Sequence, residues 1–313
     1  MSASYKNQEF LKNLEIIENL IKLNPNEIKN QKTSYWKQRL KEYDYKDPTS
    51  FLNSGSFTKR SIKQRIFHYL NQRLYFSKLM GVNIFKSQVY LNSLKIAKKQ
   101  NRVLDYDFLR MVFTYFYLVE IRKIKFSRVC IIGDGKSTLT SIFKIMNPNV
   151  EIFYVNLIET MYQDYIILSN SKIIDSKDHI IVQNPNDLDS KRKLYFIPSF
   201  NSNFLKNKKI DLFINIASFQ EMSKQVLEEY FDVISSNNSI LYHCNRTKKK
   251  LDDGSVVKSD NYPIKNGKII LNEQCPWHSF YYVPYFKKKY FAGVLEGAGI
   301  NHHLINYNDK LIL

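Results

Sequence analysis

Asp211-Leu-Phe-Ile-Asn-Ile-Ala-Ser-Phe-Gln-Glu-Met222 decides the fold. Residues 212–216 form a short apolar run, as expected of a strand covered on both faces. Polar residues follow at once, and 224–234 has helical spacing. Upstream, Arg128-Val-Cys-Ile-Ile-Gly-Asp-Gly-Lys-Ser-Thr138 repeats the pattern, with glycines at the turn. Two such strand-to-helix turns predict an open α/β sheet with its ligand at the carboxyl ends of the strands.

Outward from these anchors the alternation continues. Strands are expected at 129–132, 151–155, 194–197, 212–216 and 239–243, with a short extra one at 179–182. Helices are expected at 137–146, 159–168 and 224–234. The result is a doubly wound, mostly parallel, Rossmann-like sheet over 123–313. Residues 1–122 read as a helical region: apolar residues recur at helical spacing from Phe10 to Ile21, and again over 65–80 and 105–121. Asp47-Pro48-Thr49-Ser50 and Gly55 mark a loop. Beyond about 247 the chain turns irregular, with a charged loop at 248–254, a strand at 268–271, an aromatic segment from Cys275 to Phe291, and an edge strand at 302–306.

At 313 residues, 44% hydrophobic and 14% aromatic, the chain can bury a full core, which argues against disorder. No run of about 18 uncharged apolar residues is present and the start reads as polar, so neither a membrane span nor a secretory leader is expected. Cys130, Cys244 and Cys275 are too few and too scattered for a disulfide framework or a zinc site, so no metal is expected and a cytoplasmic setting is. The net charge of +18 raises nucleic acid as a partner. The basic residues are 37 Lys against 10 Arg, scattered rather than clustered. Lys is the poorer bidentate reader of phosphate and bases. An anionic small acceptor, such as a nucleotide-sugar or acidic glycan, ranks ahead of nucleic acid.

Gly133, Asp134 and Gly135 sit between a strand and a helix. Glycines there permit a tight turn and close approach to a ligand, and a helix amino terminus offers free N–H groups. Gly135-Lys136-Ser137-Thr138 resembles the end of a P-loop, but Cys130 stands where that motif needs its first glycine. Asn156 ends the second strand, where a residue meets ribose hydroxyls, usually through an acid. Glu159 is expected to cap its helix. Ser218 and Glu221 have the spacing of a capping box, which leaves Gln220 available to contact a ligand. His243 is the first candidate for a general base, because imidazole titrates near neutrality. Asn245 and Arg246 end the same strand, and Arg246 suits an anionic group. Trp277-His278, followed by Tyr281, Tyr282 and Tyr285, suits a sugar platform or a hydrophobic core.

These residues carry a family resemblance. Residues 129–137 look like motif I of the S-adenosylmethionine-dependent methyltransferases. Tyr154-Val-Asn-Leu-Ile-Glu-Thr160, Asp211 to Met222 and Asn245-Arg246 resemble segments of bacterial sugar O-methyltransferases, and Ser34-Tyr35-Trp36 resembles an amino-terminal feature of that family. The resemblance covers about 126–250. It implies S-adenosylmethionine as cofactor, with its methionine end near Gly133 to Gly135, its ribose near Asn156 and Leu157, its adenine near Pro198 and Ser199, and Asn215 alongside. It implies transfer to a sugar hydroxyl of a surface glycan or precursor. Gln220, Asn245, Arg246 and Trp277 would hold the acceptor, and His243, Glu221 or His278 would take the proton. The chain departs from the family at Ile131 and Asn156, where acids are usual, at Ser137 in place of the third glycine, and at Ile158 in place of proline. These departures leave open a non-catalytic relative that binds a glycan or protein. An RNA methyltransferase or basic nucleic-acid binder is the third reading.

Overall fold

A computed structural model describes residues 8–41, 61–63, 66, 69–70, 72–73, 77, 83–175, 177–278, 280–281, 293–294 and 299–308. The predicted loop around Asp47 and Gly55 lies outside them, as does most of the helix expected at 65–80.

The chain opens with helices α1 (Gln8–Leu23), α2 (Pro25–Gln31) and α3 (Ser34–Arg39). Phe10, Ile17 and Leu20 are the buried face of α1, and Pro25 starts α2, where its missing N–H costs nothing. Next come α4 (Gln88–Lys99) and α5 (Tyr106–Phe116). Side chains cap both: Ser87 accepts from the Tyr90 amide and Asp105 from the Phe108 amide. A π-helical turn, Tyr117–Ile121, ends this region.

The sheet begins with β1 (Arg128–Ile132), α6 (Thr138–Met146), β2 (Glu151–Asn156), α7 (Ile158–Asn170), β3 (His179–Ile181) and β4 (Leu194–Pro198). It continues with β5 (Leu212–Ile216), α8 (Lys224–Ser236) and β6 (Ile240–Arg246). Then come β7 (Lys248–Lys250), β8 (Val256–Lys258), β9 (Lys268–Gln274), β10 (Phe280–Tyr281), β11 (Gly293–Val294) and β12 (Ile300–Asn306). Eight strands form one sheet in the order β3-β4-β2-β1-β5-β6-β12-β9. The strands from β3 to β6 run parallel, and β12 is antiparallel to both β6 and β9. The predicted mostly parallel, doubly wound sheet with an amino-terminal helical region is what the chain forms.

The central strands β1, β2, β4 and β5 are almost wholly buried because both faces are covered, and Asn156 and Asn215 are the polar residues at their carboxyl ends. Val129 and Ile131 face a core shared with the helices before residue 122, while Cys130 and Ile132 face the core under α8. From β1 the chain moves out to β2 and the edge strand β3, comes back to β4 between them, then crosses to β5 on the other side of β1. The carboxyl ends of β1 and β5 therefore flank the topological switch point.

Three expectations need correction. The charged stretch 248–254 starts a hairpin, with Lys248 opposite Lys258. The expected edge strand at 302–306 lies inside the sheet, between β6 and β9. Ser218 does not cap the helix after β5: that helix starts at Lys224 and is capped by Ser223, whose hydroxyl accepts from the Val226 amide.

Candidate functional site at the switch point

The β1 turn is tightly built. Gly133 has φ +75°, and a Cβ there would lie 2.5 Å from Ser218 Cβ and closer still to its Oγ. Only glycine fits, because the loops after β1 and β5 touch at this point. Gly135 differs: it is exposed, and a Cβ there would meet nothing within 4 Å. The crest of the loop thus borders open space beside the switch point.

Asp134 turns inward. Its carboxylate accepts from the Leu139 amide at 3.1 Å and the Thr140 amide at 2.7 Å. The free N–H groups expected at the start of α6 are therefore already capped. Burial raises the Asp134 carboxyl above its ordinary range despite these bonds. Arg102 reaches in from the helical region and donates to the Lys136 carbonyl and the Thr138 hydroxyl. Complete burial lowers its guanidinium to about 10, opposed by Asp105, Asp134 and Asp164.

Asn156 is already engaged as well. Its amide donates to the Tyr154 phenol at 2.7 Å and to Asp164 at 3.2 Å, and its oxygen accepts from the Leu157 amide at 2.9 Å. Tyr154 in turn donates to Asp164. Burial pushes the Asp164 carboxyl well above the usual range. The acid nearest the end of β2 with spare capacity is Glu159. It lies in the first turn of α7, as expected, but makes no cap hydrogen bond; Lys32 pairs with its Oε1, and its buried Oε2 has no hydrogen-bond partner among the described residues. Pro198 and Ser199 end β4, both buried.

Beyond β5, a polar net ties three strand ends together. Asn215 donates to the Ile132 carbonyl at 3.1 Å and to Ser218 Oγ, and accepts from the Phe219 amide and the Asn245 amide group. Asn245 accepts from the Gln220 amide, and Gln220 Oε1 accepts from the Arg246 amide at 2.7 Å. This accounting leaves Asn215 and Asn245 as braces of the crevice. Arg246 stands at its rim, where its charge acts on Tyr35.

The three candidate bases separate by environment. His243 is 0% exposed, with its ring stacked on His303 at 4.3 Å and flanked by Phe219 and Tyr262. Burial holds it well below the ordinary histidine value, so it is neutral but enclosed. His278 is buried beside Arg110, with burial again the main cause of a depressed value. Glu221 follows β5 directly. It is paired with Lys249, and burial raises its carboxyl while Lys249 opposes the rise. The Lys249 ammonium also lies 3.9 Å from the Tyr35 ring centre, and the Thr33 hydroxyl donates to the Glu221 carbonyl at 2.8 Å.

Trp277 is not a sugar platform. It is 0% exposed, stacks on Phe113, and donates its indole N–H to the Thr114 hydroxyl at 3.1 Å. The strand β9 delivers it into the core against α5. Tyr282 and Tyr285 lie outside the described residues, as does the side chain of Tyr281.

The sequence reading missed Tyr154, Asp164, Arg102, Lys32 and Lys249. One signal was available: Asp164 is followed by the apolar run Tyr165-Ile-Ile-Leu168, and an acid drawn into a core beside such a run must find partners. Arg102, Lys32 and Lys249 are brought in by tertiary contacts with no local signature. Among the described residues no group of His, Cys, Asp and Glu could hold a metal, and no helix is long and apolar enough to cross a membrane.

No protein-family model and no curated protein matches the chain. Solved structures do align. A mutant of MtNAS in complex with S-adenosylmethionine is 10% identical over 95% of this chain and 96% of its own, with a TM-score of 0.39. The mitomycin 7-O-methyltransferase MmcR is 9% identical over 84% of this chain and 71% of its own, at 0.38. The pyocyanin biosynthetic protein PhzM is 8% identical over 83% of this chain and 72% of its own, at 0.37. Likeness at this level assigns neither ligand nor reaction to this chain.

Proposed function

We propose that the chain is an S-adenosylmethionine-dependent O-methyltransferase acting on a hydroxyl of a sugar-containing acceptor. One observation carries the reading: the exposed Gly135 crest lies beside the switch point, and the neighbouring strand ends each supply a buried acid with a task left to do. Glu159 Oε2 is a buried, unpartnered acceptor of the kind ribose hydroxyls require. Glu221 has its carboxyl raised towards neutrality by burial, which suits proton removal from a hydroxyl.

The residues present fit the cofactor in this arrangement. Gly135 backbone would line the methionine end, Glu159 the ribose in place of Asn156, and Pro198 with Ser199 the adenine side. The bound cofactor supplies a methyl group already activated on a sulfonium. The protein's remaining work is positioning and proton removal. Lys249 would orient Glu221, and Arg246 would hold an anionic part of the acceptor.

Calorimetric titration with S-adenosylmethionine and S-adenosylhomocysteine tests this reading. Micromolar binding, lost in Gly135→Leu and weakened in Glu159→Gln at unchanged melting temperature, is expected. Gly135→Leu should fold, since its side chain would enter open space. No binding to folded protein at millimolar ligand would favour the non-catalytic relative, in which Asp134 stays bonded to its own helix and Asn156 to Tyr154 and Asp164.

A further inference from the structure

A second concavity lies next to the switch point. The segment joining α2 to α3, the start of α8 and the β7–β8 hairpin enclose a cavity of about 730 Å3. That is the size of a site for a small organic ligand. Four lysines line it, namely Lys32, Lys37, Lys224 and Lys258, against two acids, Glu228 and Asp253. Lys32 is committed to Glu159 and Lys224 to Glu228. Lys37 and Lys258 have no carboxylate partner among the described residues, so the wall keeps a positive excess. The amino end of α8 opens on the same wall and adds positive potential.

The rest of the lining is mixed in a useful way. Ser34 accepts from the Asp253 amide and keeps its hydroxyl proton to donate, Ser255 donates to the Asp253 carboxylate, and Leu227 and Val257 bring apolar surface. Tyr262 also lines the cavity; it is 6% exposed, and its hydroxyl has no hydrogen-bond partner among the described residues. Glu221 is outside the cavity wall but adjoins it at two points. Met222 follows Glu221 in the chain, and Thr33, in the cavity wall, donates to the Glu221 carbonyl.

We propose that this cavity binds a phosphate-bearing sugar and presents one of its hydroxyls towards Glu221. This rests on the methyl-transfer reading above, and it adds the site and the charge of the acceptor. Lysines act as point charges for phosphate, and the hydroxyl-lined wall suits the sugar. The phosphate could belong to a sugar phosphate or to a nucleoside-diphosphate sugar.

Titration of the full chain with glucose 1-phosphate, UDP-glucose, glucose and inorganic phosphate, without S-adenosylmethionine, tests the proposal. Saturable binding of glucose 1-phosphate or UDP-glucose is expected, at least tenfold tighter than glucose or phosphate alone. Whichever of the two binds identifies the source of the phosphate. The Lys37→Glu/Lys258→Glu double variant, altered at two exposed positions, should lose at least tenfold in affinity at unchanged melting temperature. Absence of binding, equal binding of plain phosphate, or indifference to the charge reversal would each overturn the proposal. Sugar-phosphate binding in a protein that fails to bind S-adenosylmethionine would keep the cavity assignment and remove the methyl-transfer reading.

Discussion

Replacing Gly133 with alanine should expose how closely the two loops at the switch point are packed. The residue has φ +75°, where a side chain costs about 1–2 kcal/mol. The new methyl would also press into Ser218, whose Cβ lies 2.5 Å from the site. Overpacking of this kind costs about 1–3 kcal/mol. Gly133→Ala should therefore destabilise by about 2–5 kcal/mol, read by urea denaturation. The second mutation separates the two causes. Ser218→Gly alone loses its hydroxyl's bonds to Asn215 and the Ile132 carbonyl, at about 1 kcal/mol. In the Gly133→Ala background it should also relieve the clash, so the double mutant should be more stable than additivity predicts by about 1–3 kcal/mol. Strict additivity would refute the contact and leave only the backbone conformation as the reason for glycine.

Further outcomes follow from the buried groups. Burial lowers His303 to about 4 and His243 well below the ordinary histidine value. The unfolded chain then binds more protons between about pH 6.5 and 4. These two rings contribute full stability above that window and lose it as pH falls, with Asp260 facing His303 and opposing the effect. His303→Gln should flatten the slope of melting temperature against pH across the window; a parallel slope would remove His303 as a cause. Trp277→Ala should cost about 3–5 kcal/mol in denaturant unfolding, whereas an exposed sugar platform would lose almost nothing. Cys130, Cys244 and Cys275 are all 0% exposed, so an aromatic disulfide reagent should label them only as fast as the protein opens. Prompt labelling of native protein would contradict their burial. If Glu221 is the base, Lys249→Met should move the acid limb of the methyl-transfer rate to higher pH, because the lysine holds the carboxyl down.

The sheet was legible because its strands announce themselves. Residues 129–132 are wholly apolar and 212–216 apolar but for Asn215, and each run ends at a polar turn. The hairpin at 248–258 was not, because Lys-Lys-Lys in an exposed strand has the composition of a loop. The place of β12 was hidden for another reason. His302 and His303 look polar enough for an edge, yet they are buried by pairing on both sides. The meeting of the two loops was legible: Gly133 packs against Ser218 of the loop after β5, as their strand ends foretold. Side-chain direction was not. Asp134 faces its own helix, Trp277 faces α5, and His243 faces His303, and each choice is made by residues far away in sequence. Glu159 illustrates the opposite error, since its position fitted a helix cap and only the contact with Lys32 shows another use.

The position of β12 also bears on how the protein is made. During synthesis β6 is complete about fifty residues before β12 appears. At about 5–20 residues per second, the β6 edge waits several seconds with its backbone groups open. That edge is apolar and can pair with any passing strand. Truncation just before residue 300 would make the exposure permanent. The nascent chain should therefore need a chaperone most sharply in this interval, when β6 and β9 both wait for β12.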